Sequence, residues 1–284
     1  MAVKGAVSYW WLPIIACVTW TATLLGMMLW WFVTVHQKVL VTMDGPMPLP
    51  YMSDIGALSL KPLFIAGSTV TVVAFSLAFA AERWLRHRGR LALNVSKNEK
   101  ILAVLATIFA IIGSAGLILL TVFDTLRHHT LHYAFLGVFI GGFIISAIFV
   151  CWEYQRLGSK YPEYPLLRVS FFIKLVFIFI EASLVIAFGV LTLVDDLVHA
   201  AYLEWTISFL FGFYALSFTV DLWPARRTKE HIKRFTRHGQ YSSSEMEEAV
   251  DMPDGSYPLG TRANQTTVTA AGANGSHTPT TANF

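Results

Sequence analysis

The sequence predicts an all-α integral membrane protein: a six-transmembrane helix bundle with both termini in the cytosol, followed by a disordered carboxyl-terminal tail. Three observations carry that expectation. The 284 residues are 55% hydrophobic and 14% charged, with a mean hydropathy of +0.55, outside the range of soluble domains. Six apolar runs are long enough to cross about 30 Å of hydrocarbon, which takes roughly 20 helical residues. Lys and Arg are concentrated on alternate connectors. Helices are the expected form because lipid cannot satisfy backbone polar groups, and the alternation of a membrane barrel strand is missing.

The first run covers about residues 10–35. The MAVK start has the charge of a signal peptide. The run behind it, however, exceeds the roughly 7–15 residues of a signal core and no small-x-small cleavage site follows, so it is read as a span. The second run covers residues 63–81, the third 101–123 and the fourth 133–152; the fifth covers 169–194 and the sixth 202–223. Of the nine tryptophans only Trp20 lies deep inside a run; the others fall near span ends, as an interfacial aromatic belt does. The expected division is a membrane domain over residues 1–225 and a cytosolic tail over 226–284.

Orientation follows from the basic residues. The connector after span two carries Arg83, Arg86, Arg88, Arg90, Lys97 and Lys100. The one after span four carries Arg156, Lys160 and Arg168, and the tail opens with Arg226, Arg227, Lys229, Lys233, Arg234 and Arg237. The opposite side holds Lys38, Lys61 and Arg127, so the positive-inside rule places both termini in the cytosol. The sequons at Asn94, Asn264 and Asn274 then face the cytosol and are expected to carry no glycan. The basic start of the tail is an expected contact for anionic inner-leaflet lipids, each cation near the surface contributing about 1 kcal/mol. The acidic, serine-rich stretch that follows, residues 242–251, suits phosphorylation that would weaken that contact.

Polar residues inside the spans are functional candidates, because charge at that depth is costly. Lys174 and Glu181 lie two turns apart in span five, about 10 Å and too far for a direct pair. Lys174 is expected to snorkel to the inner surface, and Glu181 to lie near mid-membrane. Gly137 and Gly141 form a GxxxG expected to pack within the bundle or, secondarily, between copies. Cys17 and Cys151 are too few for a disulfide framework and are read as packing residues, Cys151 also as a site for palmitoylation.

On the outer side, Asp124, His128 and His132 recur every fourth residue and share one face if that stretch is helical. Such a set suggests a metal-assisted lipid hydrolase, although no H-E-x-x-H spacing supports a metal. GxSxG, Walker, dinucleotide and CxxC motifs are missing. No cofactor, metal or nucleic-acid partner is expected; membrane lipids are. A transporter built on Glu181 lacks an internal repeat or a broken helix pair.

The first outer loop reads MDGPMPLPYMSDIGALSLKP over residues 43–62. Its four prolines make it stiff, so it should lie on the bundle mouth. Ser53 or Asp54 is placed to cap a short helix there, and Gly56 permits a tight backbone. The pattern Pro50-Tyr51-x-Ser53-Asp54-x-Gly56 between spans one and two, in a six-span chain, resembles the DRAM/Frag/Sfk family, which shares a membrane domain with the yeast cell-wall protein Cwh. The resemblance covers residues 8–223; His132 matches more loosely, and Met52 stands where Ile is more usual.

What the resemblance implies depends on the branch. The Sfk branch and its animal transmembrane-150-type relatives help recruit or regulate a phosphatidylinositol 4-kinase complex at the plasma membrane and influence lipid asymmetry. The Frag branch acts in remodelling glycosylphosphatidylinositol-anchor lipid in the secretory pathway, and the DRAM branch modulates autophagy at lysosomes or vacuoles. The basic inner surface and long tail suit the Sfk branch, with a cytosolic kinase complex as partner. The external Asp–His set would suit an anchor-remodelling enzyme or accessory factor.

Overall fold

The computed structural model describes residues 9–226 apart from Gly89, Leu93, Val95 and Glu163. Among the described residues there are seven α-helices: α1 (Leu12–Val33), α2 (Met52–Gly56), α3 (Lys61–His87), α4 (Lys97–Val122), α5 (Thr125–Lys160), α6 (Pro165–Leu193) and α7 (Leu197–Leu222). Single 3-10 turns, Tyr9–Trp11 and Trp223–Arg226, flank them, and no strand occurs among the described residues. All but α2 are long and apolar enough to cross a membrane. The expected basic tail segment, Arg227, Lys229, Lys233, Arg234 and Arg237, lies outside the described residues, as do the serine-rich stretch and the sequons at Asn264 and Asn274.

Helix starts follow local chemistry. Proline occupies the first turn of α1 (Pro13), α3 (Pro62) and α6 (Pro165), where a missing N–H costs nothing. Ser96 opens α4, and Glu99 Oε2 accepts the Ser96 N–H at 3.1 Å, half of a capping box. Asp124 caps α5 by accepting the Arg127 N–H at 2.8 Å. The spans are longer than their apolar runs because polar flanks continue the helices: α3 extends to His87, and α5 runs 36 residues to Lys160. α5 is not uniform, for His128 breaks it with φ −138° and ψ 49°.

The six long helices form a closed ring in which α1 packs on α3, α3 on α4, α4 on α5, α5 on α6, α6 on α7, and α7 returns to α1. Aromatic side chains fill the centre: Phe75 meets Phe79, Phe143, Phe211, Tyr214 and Phe218 at centroid distances of 5.1 to 6.1 Å. Trp20 Nε1 donates to the Ser208 carbonyl at 2.7 Å and fastens α1 to α7. The tightest crossing is α4 on α5, where a Cβ at Gly142 would lie 2.6 Å from the Gly113 nitrogen and one at Gly116 would lie 2.6 Å from the Phe139 nitrogen. The GxxxG expectation is corrected here. A Cβ at Gly137 or Gly141 meets nothing within 4 Å, so Gly142, one position on, makes the close approach instead.

Helix α6 is the least embedded. Its buried residues are Ser170 and Lys174 alone, whereas α7 buries twelve. The ring has two ends: a terminal end, with the described residues of 9–11, 88–96, 161–164 and 223–226, and a loop end, with residues 34–60, 123–124 and 194–196. At the terminal end Trp10 packs edge-on to Trp223 at 5.2 Å, bringing both ends of the described chain together.

Candidate functional site

At the loop end the PYMSDIG stretch folds onto α7. After Pro50 the backbone is extended at Tyr51 (φ −61°, ψ 148°), and the chain then turns into α2. Asp54 Oδ2 accepts the Tyr51 N–H at 3.2 Å, so Asp54 is the residue that caps. The Trp205 indole donates to the Pro50 carbonyl at 2.9 Å, and Glu204 Oε2 accepts the Met52 N–H at 2.6 Å, with Ser53 also in reach. Gly56 abuts the Phe64 ring so closely that a Cβ would overlap it. The loop is thus bound to the bundle by backbone groups. Asp54 is 5% exposed; burial, with Asp44 nearby, pushes its carboxyl up to about 7. Burial and the surrounding acids raise the Tyr51 phenol as well.

The terminal end holds a larger polar assembly. Arg86 donates Nε and Nη2 to Glu82 Oε1 (3.1 and 2.7 Å) and Nη1 to the Ala92 carbonyl (3.0 Å). The Tyr154 hydroxyl donates to the same Glu82 oxygen at 2.6 Å. Glu153 accepts from Arg83 and from Asn94 Nδ2 (2.8 Å). Deeper, Lys174 Nζ donates to Asp221 Oδ2 at 2.5 Å and to Ser170 Oγ at 2.8 Å, while Ser170 donates to Asp221 Oδ1. The Tyr154 ring joins the two halves, with Arg86 5.1 Å and Lys174 4.8 Å from its centroid. Glu82, Glu153 and Asp221 balance Arg83, Arg86 and Lys174, so the assembly is neutral as a whole, the arrangement that buried charges need. A cavity of about 370 Å³ adjoins it, with Leu91, Tyr164, Leu167 and Pro224 on its wall and Arg86 and Asp221 at its polar side.

The chain matches the family model described as the Frag1/DRAM/Sfk1/Cwh43P N-terminal domain over residues 8–225. The chain belongs to the DRAM/Frag/Sfk family. It is similar to Protein sfk1 of Schizosaccharomyces pombe, 30% identical over 218 residues that make up 75% of this chain and 63% of that protein. It is also similar to Protein SFK1 of Saccharomyces cerevisiae, 21% identical over 82% of this chain and 84% of that one. The match therefore spans less than two thirds of the fission-yeast relative's length. No solved structure matches it. As a family member with six membrane-crossing helices, the protein is a multi-pass integral membrane protein. The matched region ends with the ring, and both polar sites lie inside it.

Several residues singled out in the sequence take other places. Lys174 does not snorkel: it is 0% exposed, because Asp221, one helix away, supplies a partner that sequence spacing within span five cannot reveal. Asp124, His128 and His132 do not converge. Asp124 holds Lys61 Nζ at 2.5 Å and Arg127 at 3.2 Å, and these contacts keep its carboxyl below the usual range. His132 turns inward, with Nδ1 2.9 and 3.0 Å from the Leu120 and Phe123 carbonyls, and His128 sits exposed at the break in α5. Among the described residues no group of three or more His, Cys, Asp or Glu is placed to hold a metal ion.

Glu181 is half-buried with Oε1 unpaired, near the unpaired hydroxyl of Tyr214. Cys151 is 6% exposed and packed in the core, out of reach of acylation. Arg83 and Arg86 belong to α3 and to the buried assembly, not to a connector. The sequence reading missed Glu82, Glu153, Asp221 and Trp205 as site residues, and placed Glu204 on the outer side without its loop partners. The signal available for the first was the i,i+4 pair Glu82–Arg86 on one helix face.

Proposed function

We propose that the protein is a plasma-membrane regulator of phosphoinositide and lipid organisation, its terminal end facing the cytosol and helping to recruit a phosphatidylinositol 4-kinase complex. The family membership supplies the class of role. One observation about charge carries the orientation and the surface. At the terminal end, Glu82, Glu99, Glu153 and Asp221 are all buried, while Arg88, Lys97, Lys100, Lys160 and Arg168 are exposed. Among the described residues that end therefore presents cations to its surroundings and no exposed acid. The loop end mixes exposed Asp44 and Asp195 with exposed Lys38 and Arg127. A cationic rim is what the positive-inside rule places in the cytosol, and what anionic inner-leaflet lipids attract, by about 1 kcal/mol for each residue at the surface.

The rim and the tail that follows Arg226 form the docking side in this reading, and the ring is the anchor. Truncation after Ala225 is expected to leave the ring in the plasma membrane and to reduce kinase recruitment, followed by the surface signal of a tagged kinase subunit. Adding charge reversals at Lys97, Lys100, Lys160 and Arg168 is expected to abolish what remains. Undiminished recruitment in the combined variant, with the protein still at the plasma membrane, would defeat the proposal.

A further inference from the structure

The outermost turns of α5 have two faces. Glu153, Tyr154 and Leu157 are buried, and the first two are held in the ionic assembly by Arg83, Asn94 and Glu82. Trp152, Gln155, Arg156, Ser159 and Lys160 lie on the other face. With Glu99 from the first turn of α4 they line a recess of about 540 Å³ at the terminal end. The inward contacts fix the rotation of the helix, so the outward residues are in place before anything binds.

Trp152, Arg156 and Lys160 recur every fourth residue in a part of α5 with no break, so they form one stripe, with about 6 Å of rise between neighbours. Toward the middle of the bundle the stripe continues through Ile148 and Ile145, both exposed. Along one face of one helix the order is thus hydrocarbon, half-exposed indole, guanidinium and ammonium. A lipid of one leaflet runs through the matching order of acyl chain, interface, phosphate and outer head.

The charges of the stripe are not spent within the protein. Arg156 Nε is buried without a hydrogen-bond partner, and its guanidinium makes no ion pair among the described residues, whereas Arg83, Arg86 and Lys174 each hold an acid. A buried donor left unsatisfied is costly, and an oxyanion in the recess would satisfy it. Lys160 Nζ lies 3.5 Å from Glu99 Oε1, beyond hydrogen-bond length, while Glu99 Oε2 accepts the Ser96 N–H. The ammonium therefore keeps its donors, and two cations outweigh the single acid of the lining. A phosphate diester at the depth of Arg156 leaves Lys160, one turn farther out, facing the outer part of the head. A second phosphate there is attracted; the ammonium of a serine or ethanolamine head is repelled.

We propose that this recess binds a phosphatidylinositol monophosphate of the leaflet at the terminal end. Its diester phosphate meets Arg156, the phosphate on the inositol ring meets Lys160, and an acyl chain follows Ile148 and Ile145. The site deepens the function proposed above and rests on it for the leaflet, since a cytosolic terminal end puts the recess in the inner one.

Full-length chain, purified in mild detergent and stripped of lipid, is offered equal amounts of dioleoyl phosphatidylinositol 4-phosphate, phosphatidylinositol, phosphatidic acid and phosphatidylserine. Retained lipid is counted by native mass spectrometry. One phosphatidylinositol 4-phosphate per chain is expected, retained about tenfold over the other three, the difference that one charge-assisted hydrogen bond makes. Lys160→Gln should erase its advantage over phosphatidylinositol, and Arg156→Gln should weaken retention of both about tenfold. Lys97→Gln, exposed on the same rim but outside the recess, should change neither. Equal retention of the two inositol lipids by the wild-type chain would overturn the proposal. So would phosphatidic acid matching phosphatidylinositol 4-phosphate, or an equal loss in all three variants, since either makes the attraction one of diffuse charge. Soluble inositol 1,4-bisphosphate at equal concentration should leave the lipid bound; displacement would assign the recess to a soluble ligand instead. The lipid comparison is read on the wild-type chain, so it decides the matter even if a variant fails to fold. Neither kinase nor bilayer orientation enters the assay. A chain with this preference that recruits no kinase defeats only the earlier reading, and one that recruits kinase without the preference defeats only this site.

Discussion

Replacing Lys174 by Met tests how α6 is held in the ring. The helix buries only Ser170 and Lys174, so its specific attachment is the Lys174–Asp221–Ser170 unit, aided by the faces of Tyr154 and Phe218 at 4.8 and 4.3 Å from Nζ. Met keeps the length of the lysine stem but strands the Asp221 carboxylate at full burial. Breaking a buried pair in this way costs about 3–5 kcal/mol. Asp221→Asn should cost less, because Lys174 keeps the Ser170 hydroxyl and two aromatic faces, which offset up to about 2 kcal/mol. The double variant carries no stranded charge and should lie within about 1 kcal/mol of wild type. Unfolding in micelles, followed by tryptophan fluorescence across the four proteins, gives the coupling directly. If Lys174→Met costs under about 1 kcal/mol, or if the double variant is as unstable as the two single changes added, α6 is not pinned by this charge pair.

Two further outcomes follow from geometry. Gly142→Ala should destabilise the α4–α5 crossing by about 1–3 kcal/mol, since its Cβ would sit 2.6 Å from a backbone nitrogen. Gly137→Ala, in open space, should stay within about 0.5 kcal/mol of wild type in the same unfolding assay. Asp54 is expected to make stability fall with rising pH. Its folded carboxyl is raised from 3.8 to about 7, so its contribution is complete below about pH 4 and is lost as pH passes 7; the ceiling is about 4 kcal/mol. Melting curves of wild type and Asp54→Asn from pH 4 to 8 should therefore converge on differing slopes, the Asn variant lacking the decline; parallel curves would contradict it.

The spans were legible because lipid imposes a length and a composition, and both are local properties of sequence. Their ends were less so: hydropathy falls at Ala81, but the helix continues to His87, since Glu82, Arg83 and Arg86 find partners on α5 that let charge remain in a helix. The Asp54 cap could be read from its position three residues after Tyr51. Its clamp could not, because Glu204 and Trp205 lie more than 150 residues away and carry no periodic mark. The Asp124–His128–His132 pattern misled for a related reason. A spacing of four predicts one face only on an unbroken helix, and His128 is where α5 breaks. Lys174 and Asp221 show the same limit, each an isolated charge in its own span until the ring closes α6 against α7.

The buried assembly bears on how the charge pattern of such a chain is read. Positive-inside counting treats Arg83 and Arg86 as surface charges, yet their guanidinium groups are spent on Glu82 and Glu153. Removing them lowers the count of basic residues on that side by two but leaves its net charge unchanged, because they take two acids with them. Each buried pair subtracts one charge of either sign, and the excess left at the surface is unchanged. What changes is its purity. With Glu99 also drawn onto Lys160 at 3.5 Å, the exposed charges at that end are all cationic among the described residues. The neutral assembly and the cationic rim are therefore one arrangement: burying the acids in helix-to-helix ion pairs both fastens α3, α5, α6 and α7 and determines what the terminal end presents.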